Sequence, residues 1–112
     1  MASGTILTNG PRNLFWKSTS GSGGQRNLII NAYDISIQFM MIMLVNRREN
    51  SAPRVVALQL YSGTCGLVPL SGNASGVSAS ISGNTVSVIV PEDYLTAYVL
   101  SSTPIDLAFT SA

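Results

Sequence analysis

The residue types that could do chemistry are few in this chain of 112 residues, which contains no histidine. Histidine is the commonest general base and a very common metal ligand, so its absence argues against zinc sites and against triad catalysis. A glycosidase would need two carboxylates facing across a cleft at about 5 to 10 Å. A pair such as Asp34 with Asp106 stays open, but solvated loop acids are the simpler interpretation. We therefore expect no catalytic residue, no bound metal and no cofactor.

Cys65 is the only cysteine, so it cannot form a disulfide within the chain. Its neighbours, Thr64 and Gly66, predict a turn. A thiol becomes reactive where a base or a cation activates it, and no histidine is present to do so. We expect a small buried residue without a chemical role, with a reactive thiol or an intermolecular bridge as the alternative.

Two groups of side chains are candidates for binding a partner. The first combines cations with aromatic rings, which could stack on sugars or nucleobases or fill a groove in a neighbouring subunit. The second is a pair of arginines in a polar loop, which could grip a carboxylate or phosphate. A net charge of +1 is too small to favour nucleic acid. The two groups are Arg12, Phe15, Trp16 and Lys17, and Arg47 with Arg48.

Charged residues make up 10% of the chain, against about a quarter in typical domains, while apolar residues make up 46%. Polarity comes instead from serine, threonine and asparagine. Such a surface is weakly hydrated and lacks the charge that keeps small domains monomeric. This favours a homo-oligomer, a dimer or trimer, over a serine-rich monomer.

The few charges are sorted along the chain. All six basic residues lie in residues 1–54 with two acidic ones, giving +4, whereas residues 55–112 hold three acidic residues, giving −3. If the halves formed different faces, copies could meet head to tail with opposite charges opposed. A sandwich that interleaves the halves would remove this polarity.

The stretch from Ile35 to Val45 is the strongest hydrophobic pattern in the chain. At a period of two, one face is wholly apolar, and the other begins with Ser36 and Gln38 and then becomes apolar. Eleven residues are too few for a membrane span, which needs about 20. We predict a central strand that packs against a second sheet or another chain.

Further strands are predicted from alternation and turn residues. Residues 77–90 form a hairpin around Gly83-Asn84, with Ile81 opposite Val86 and Ala79 opposite Val88. Strands are also expected over residues 5–8, 54–61, 94–101 and 105–109. Residues 62–76 are expected to be loop, and residues 91–93 a helical turn.

These elements predict one all-β domain, an antiparallel β-sandwich of the jelly-roll type with eight or nine short strands. Residues 1–17 form an N-terminal strand or arm that docks on a neighbour. Residues 18–24, rich in glycine and serine, form a flexible loop. Residues 25–112 form the sandwich core.

The opening MASGTI and the short, Ser/Thr/Gly-rich β chain without catalytic residues resemble the small structural proteins of tailed bacteriophages, namely decoration, head-fibre and tail-tip proteins. The resemblance implies a subunit that self-associates and attaches to other virion proteins, as capsid decoration or tail component. We expect it to be found in the virion and to be made in the host cytoplasm, because no charged segment followed by a short apolar core is visible near its N-terminus to indicate a signal peptide.

The alternative function is a small carbohydrate-binding, lectin-like or receptor-binding domain. Its glycan site would use Trp16 and tyrosines. The tyrosines are Tyr33, Tyr61, Tyr94 and Tyr98.

Overall fold

A computed structural model describes residues 14–19, 24–32, 37–48 and 50–111 of the chain. Most of the expected arm, including the strand over residues 5–8 and Arg12, lies outside these residues. The described part contains nine strands and one short 3₁₀ helix, Gly72–Ala74. The strands are β1 Leu14–Ser18, β2 Arg26–Ala32, β3 Ile37–Asn46, β4 Arg54–Tyr61, β5 Thr64–Pro69, β6 Ser78–Ser82, β7 Thr85–Val90, β8 Leu95–Ser101 and β9 Ile105–Ser111.

The strands form two sheets. The five-stranded sheet has the order β1-β8-β3-β4-β5, and the four-stranded sheet has the order β9-β2-β7-β6. Every neighbouring pair is antiparallel. The predicted all-β antiparallel sandwich is therefore confirmed, with nine strands in the described residues.

The core lies between the inner faces of the two sheets, where alternate residues of each central strand are fully buried. The four-stranded sheet contributes leucine, isoleucine and valine from β2 and β7. The five-stranded sheet contributes larger side chains from β3, β4 and β8. The buried centre is formed by Leu28, Ile30, Val86, Val88, Met40, Ile42, Leu44, Leu58, Leu60 and Val99.

The predicted central strand is β3, which occupies the third of five positions in its sheet. Its inward face is the one that begins with Gln38, whose amide nitrogen donates a 2.9 Å hydrogen bond to Ser101 Oγ. That bond helps a polar side chain to be buried among apolar ones. The other face of β3, which carries the exposed Phe39, Met41 and Met43, points away from the second sheet.

The β6–β7 hairpin has the predicted register, with Ser82, Ile81 and Ala79 opposite Thr85, Val86 and Val88. Gly83 has a φ of +61°, the conformation that a two-residue hairpin turn requires at its first central position. The predicted pairing of β3 with β4 is confirmed as well.

The prediction of a loop over residues 62–76 is wrong for the first half of this range. β5 runs from Thr64 to Pro69 and pairs with β4 through a tight turn in which Ser62 and Gly63 both have positive φ. Cys65 consequently lies on a strand, partly buried against the core, and not in a turn. Gly66 and Pro69 obscured the strand in the sequence, but an edge strand tolerates both.

Two smaller predictions also need correction. Residues 91–93 form bends and no helical turn. Ser18 ends β1, and the buried Thr19 belongs to the sandwich because its N–H donates to the Leu95 carbonyl at 2.8 Å. The expected flexible loop over residues 18–24 thus begins with two ordered residues, and residues 20–23 lie outside the described ranges.

The part of the chain that the structure describes contains no helix long and apolar enough to cross a membrane.

Candidate interaction surface

The outer face of the five-stranded sheet carries an apolar row that crosses every strand. The residue registers place these side chains next to one another, one from each strand. None is charged, and all but alanine are exposed. In strand order from β1 to β5 the row is Leu14, Leu100, Met41, Ala57 and Val68.

A second row runs alongside the first, closer to the end of the sandwich where β1 finishes. Trp16 is opposite Tyr98, Tyr98 is opposite Met43, and Met43 is opposite Val55. Among the large apolar side chains that the structure describes, Trp16 is the most exposed, at 65% of its area. Phe39, which is 52% exposed, extends the apolar area on the opposite side of the first row. We call these two rows with Phe39 the apolar face.

The outer face of the four-stranded sheet is different in kind. Its exposed or half-exposed positions are mostly serine, threonine, asparagine and aspartate, with Ile29 and Ile89 as the large apolar exceptions. One register row illustrates this, because Ser82, Thr85, Asn31 and Asp106 follow one another across its four strands. The molecule therefore has one apolar and one polar broad surface.

Polar groups border the apolar face at both ends of the strands. At one end, Ser18 Oγ and Thr96 Oγ1 share a hydrogen bond of 2.8 Å. At the other end, Gln59 and Thr64 are exposed, and Ser102 Oγ accepts the Phe39 N–H at 3.1 Å. An apolar centre inside a polar rim is the usual anatomy of a protein interface.

The apolar face is not level. A hollow opens over β4 and β5 around two outward positions, Ala57 and Gly66, where the side chain is small or absent. On the other side of β3, the side chains that β8 and β1 contribute to the two rows are large. The hollow is lined by Phe39, Ala57, Gln59, Gly66 and Val68, among others.

Three of the predicted partner-binding residues lie on β1, but they point in different directions. Trp16 lies on the apolar face, whereas Phe15 packs partly buried against the core. Lys17 is exposed and, with Asp106, borders a groove where the edges of the two sheets meet. The structure therefore divides this predicted group, and Trp16 is its member on the apolar face.

Arg47 and Arg48 lie at the end of the sandwich where β1 stops, and both are engaged within the chain. The Arg47 guanidinium donates to the carbonyl oxygen of Thr19 and, at 3.1 Å, to its hydroxyl. The Arg48 guanidinium lies 4.6 Å from the centre of the Tyr94 ring, close enough for a cation–π contact. Tyr94 itself has a φ of +60°, an uncommon value for a residue other than glycine.

The predicted charge polarity between the chain halves is removed by folding. Arg26 Nη2 lies 2.8 Å from Asp93 Oδ2, and Arg54 Nη2 lies 3.0 Å from Glu92 Oε1, so basic residues of the first half pair with acidic residues of the second. The hydrogen bond that Arg26 donates to Asp93 raises the pKa of Arg26 above its ordinary value. The head-to-tail charge contact is therefore not supported, because these charges neutralise one another inside one molecule.

The described residues contain no cluster of three or more cysteine or acidic side chains that could hold a metal ion. The three described tyrosines do not gather in one site either: Tyr98 lies beside Trp16, Tyr61 lies at the far end of β4, and the Tyr94 ring faces Arg48. Tyr33 is outside the described residues.

Sequence reasoning named Tyr98 on β8 and Tyr61 on β4 only as possible glycan-site residues, and it missed the other outward side chains of β8, β4 and β5. Tyr98 and Leu100 alternate with buried Ala97 and Val99, and this period-two pattern was the available signal. Their alignment with Met41 and Met43 depends on the register between distant strands, which the sequence does not reveal. Comparison of the chain with protein-family models, with curated proteins and with solved structures found no match.

Proposed function

We propose that this protein is a non-enzymatic structural subunit that associates with further copies of itself and attaches to a larger particle. The observation that carries the proposal is the apolar face, where side chains from all five strands form one uncharged surface. An exposed apolar area of this extent, bordered by polar groups, is typical of sites that other protein surfaces cover. The polar outer face of the other sheet provides the contrast within the same molecule.

The composition supports the same proposal. With 10% charged residues, two of the few acids paired to arginines, and a net charge of +1, electrostatic repulsion between copies is small. The main force between two apolar faces is then burial of hydrophobic area, which stabilises by about 25 cal/mol per Å² removed from water. Homo-oligomers, as a dimer or trimer, are the expected state.

The particle that we propose is a tailed-phage virion, in which the protein would be a capsid decoration or a tail component. This part rests on the resemblance of the opening MASGTI and of the Ser/Thr-rich β character to small virion proteins. The groove between β1 and β9 and the end of the sandwich that carries Arg47 and Arg48 lie outside the apolar face, so they can contact other virion proteins when that face is covered.

Size-exclusion chromatography with light scattering tests the self-association. We expect a mass of two or three times 11.8 kDa at concentrations of 100 µM and above. A strict monomer at millimolar concentration would overturn the proposal. Attachment is tested by adding the purified protein to phage particles that lack it and by measuring whether it sediments with them.

A second candidate, binding of a glycan, is favoured by one specific contact. Trp16 and Tyr98 are cross-strand neighbours with exposed rings, and paired aromatic rings can stack on the apolar face of a sugar. Titration of tryptophan fluorescence with hits from a glycan array separates the two candidates, because Trp16 is the only tryptophan. Saturable quenching by a sugar, lost in the Tyr98→Ala variant, would favour the glycan.

A further inference from the structure

The apolar face is asymmetric about its central strand. β3 is the third of five strands, so two strands lie on each side of it. On the β8 and β1 side the outward residues of the main rows are Leu100, Tyr98, Leu14 and Trp16. On the β4 and β5 side they are Ala57, Val55 and Val68, beside the hollow at Gly66.

Both halves lie at equal distances from β3, because strands in a sheet are evenly spaced at about 4.8 Å. Leu100 and Ala57 are each one strand from Met41, and Leu14 and Val68 are each two strands from it. Leu100 and Tyr98 on one side thus correspond to the smaller Ala57 and Val55 on the other side, and Leu14 corresponds to the smaller Val68. A surface of this kind is complementary to itself.

We propose that a second copy of this chain covers the apolar face through a two-fold axis that runs along β3. This rotation leaves each residue at the same position along the strand direction and exchanges the two sides of β3. Leu14 then lies over Val68 of the second copy, Leu100 over its Ala57, and Met41 meets Met41. The inference rests on the proposed function, since it specifies the partner and the geometry of that self-association.

The competing arrangement has a two-fold axis that is parallel to the plane of the sheet but perpendicular to the strands. The sizes of the side chains disfavour it. It would place β1 and β8 on themselves, so that Leu14 would meet Leu14 and Leu100 would meet Leu100. Large side chains would collide on one side while the hollow over β4 and β5 stayed unfilled. Interfaces pack at the density of protein interiors, which this arrangement does not reach.

The area is sufficient for a dimer that dissociates. Five strands at about 4.8 Å, and the two apolar rows with the row of Phe39, give a face of roughly 24 by 20 Å. Covering this face on both copies buries on the order of 1,000 Å², which is the lower limit for a specific interface. Sheets packed face to face align within about 30°, so the axis lies within about 15° of β3.

Site-directed cross-linking tests the axis. Cys65→Ala provides the background, and single cysteines are placed at Leu14 and Val68, both exposed in the single chain. Facing sheets are about 10 Å apart, so a thiol-specific linker of about that span is used. Leu14→Cys and Val68→Cys are treated separately and as a mixture, with Ser80→Cys on the polar outer face as control, and each variant's mass is checked by light scattering.

The proposed axis predicts that the mixture yields a Leu14→Cys/Val68→Cys cross-linked dimer in at least tenfold excess over either variant alone. Efficient cross-linking of Leu14→Cys to itself would overturn the axis and favour the perpendicular one. A sample that is dimeric by light scattering but is not cross-linked at either position would also overturn it, while the proposed self-association stands. A monomeric sample would contradict both proposals.

Discussion

Leu14 and Val68 lie on opposite edge strands of the five-stranded sheet, and yet they belong to one row of outward-facing side chains. Leu100, Met41 and Ala57 fill the three positions between them. No charge interrupts this row, although the chain has eleven charged residues to distribute. The charged residues that the structure describes lie in loops, at strand ends and on edge strands, which leaves the centre of the sheet suited to contact with another protein surface.

A lysine at the centre of the apolar face should prevent association. In the proposed dimer, Met43→Lys brings two ammonium groups together near the axis and removes both from water, and like charges opposed at an interface cost several kcal/mol. We expect the dimer Kd to rise at least a hundredfold, measured by sedimentation velocity. The free energy of unfolding of the monomer should change by less than about 1 kcal/mol, because Met43 is partly exposed and lysine can reach solvent.

Ser80→Lys is the matched control, since Ser80 is exposed on a strand of the other sheet. It adds the same charge and should leave the Kd unchanged. Equal weakening by both lysines would mean that net charge, and not the apolar face, governs association.

Exchanging a large and a small residue across the interface tests the contact between Leu100 and Ala57 of the second copy. Ala57→Leu alone fills the hollow and should raise the dimer Kd about tenfold or more, because overpacking costs roughly 1 to 3 kcal/mol. Leu100→Ala alone should weaken the dimer through lost burial. The double variant restores the fit and should return the Kd to within about threefold of the original. If contact were merely nonspecific and apolar, Ala57→Leu would strengthen association instead.

The Arg26–Asp93 pair should stabilise the fold and have no part in association. Asp93 has 1% of its side chain exposed, and its second oxygen accepts the Tyr94 N–H at 2.8 Å. Asp93→Asn removes the carboxylate that faces the Arg26 guanidinium, and an arginine side chain stays protonated at any working pH, so a buried charge loses its countercharge. We expect Tm to fall by roughly 8 °C or more, read by circular dichroism.

Glu92→Gln is the control for that variant, because the Arg54–Glu92 pair is partly exposed and surface pairs contribute little. Its Tm should fall by less than about 4 °C. If Tm falls no further in Asp93→Asn than in Glu92→Gln, the buried pair does not stabilise the fold more than the exposed pair does.

The sequence predicted the fold well where the signal was local. The hairpin around Gly83 and the strand character of β3 follow from alternation and from turn residues, which act over a few positions. β5 was missed because Gly66 and Pro69 weaken strand signals, and its strand state depends on pairing with β4. Local patterns do not report such pairing.

The candidate surface was predictable only in part. Sequence reasoning selected Trp16 and the apolar side of β3, but it did not place them on one face. The link between Trp16 and Met43 passes through Tyr98 of β8, more than 50 residues farther along the chain. The charge asymmetry misled for the same reason, because the pairing of Arg26 with Asp93 is also a long-range contact.

The most direct measurement of whether a second copy covers the apolar face is the emission of Trp16, followed against concentration together with the mass from light scattering. Trp16 is the only tryptophan and is largely exposed in the single chain. We predict that its emission maximum moves to shorter wavelength as the mass doubles, with the same midpoint, and that Met43→Lys abolishes both changes. A doubling of mass with unchanged emission would place the contact on another surface and contradict the account.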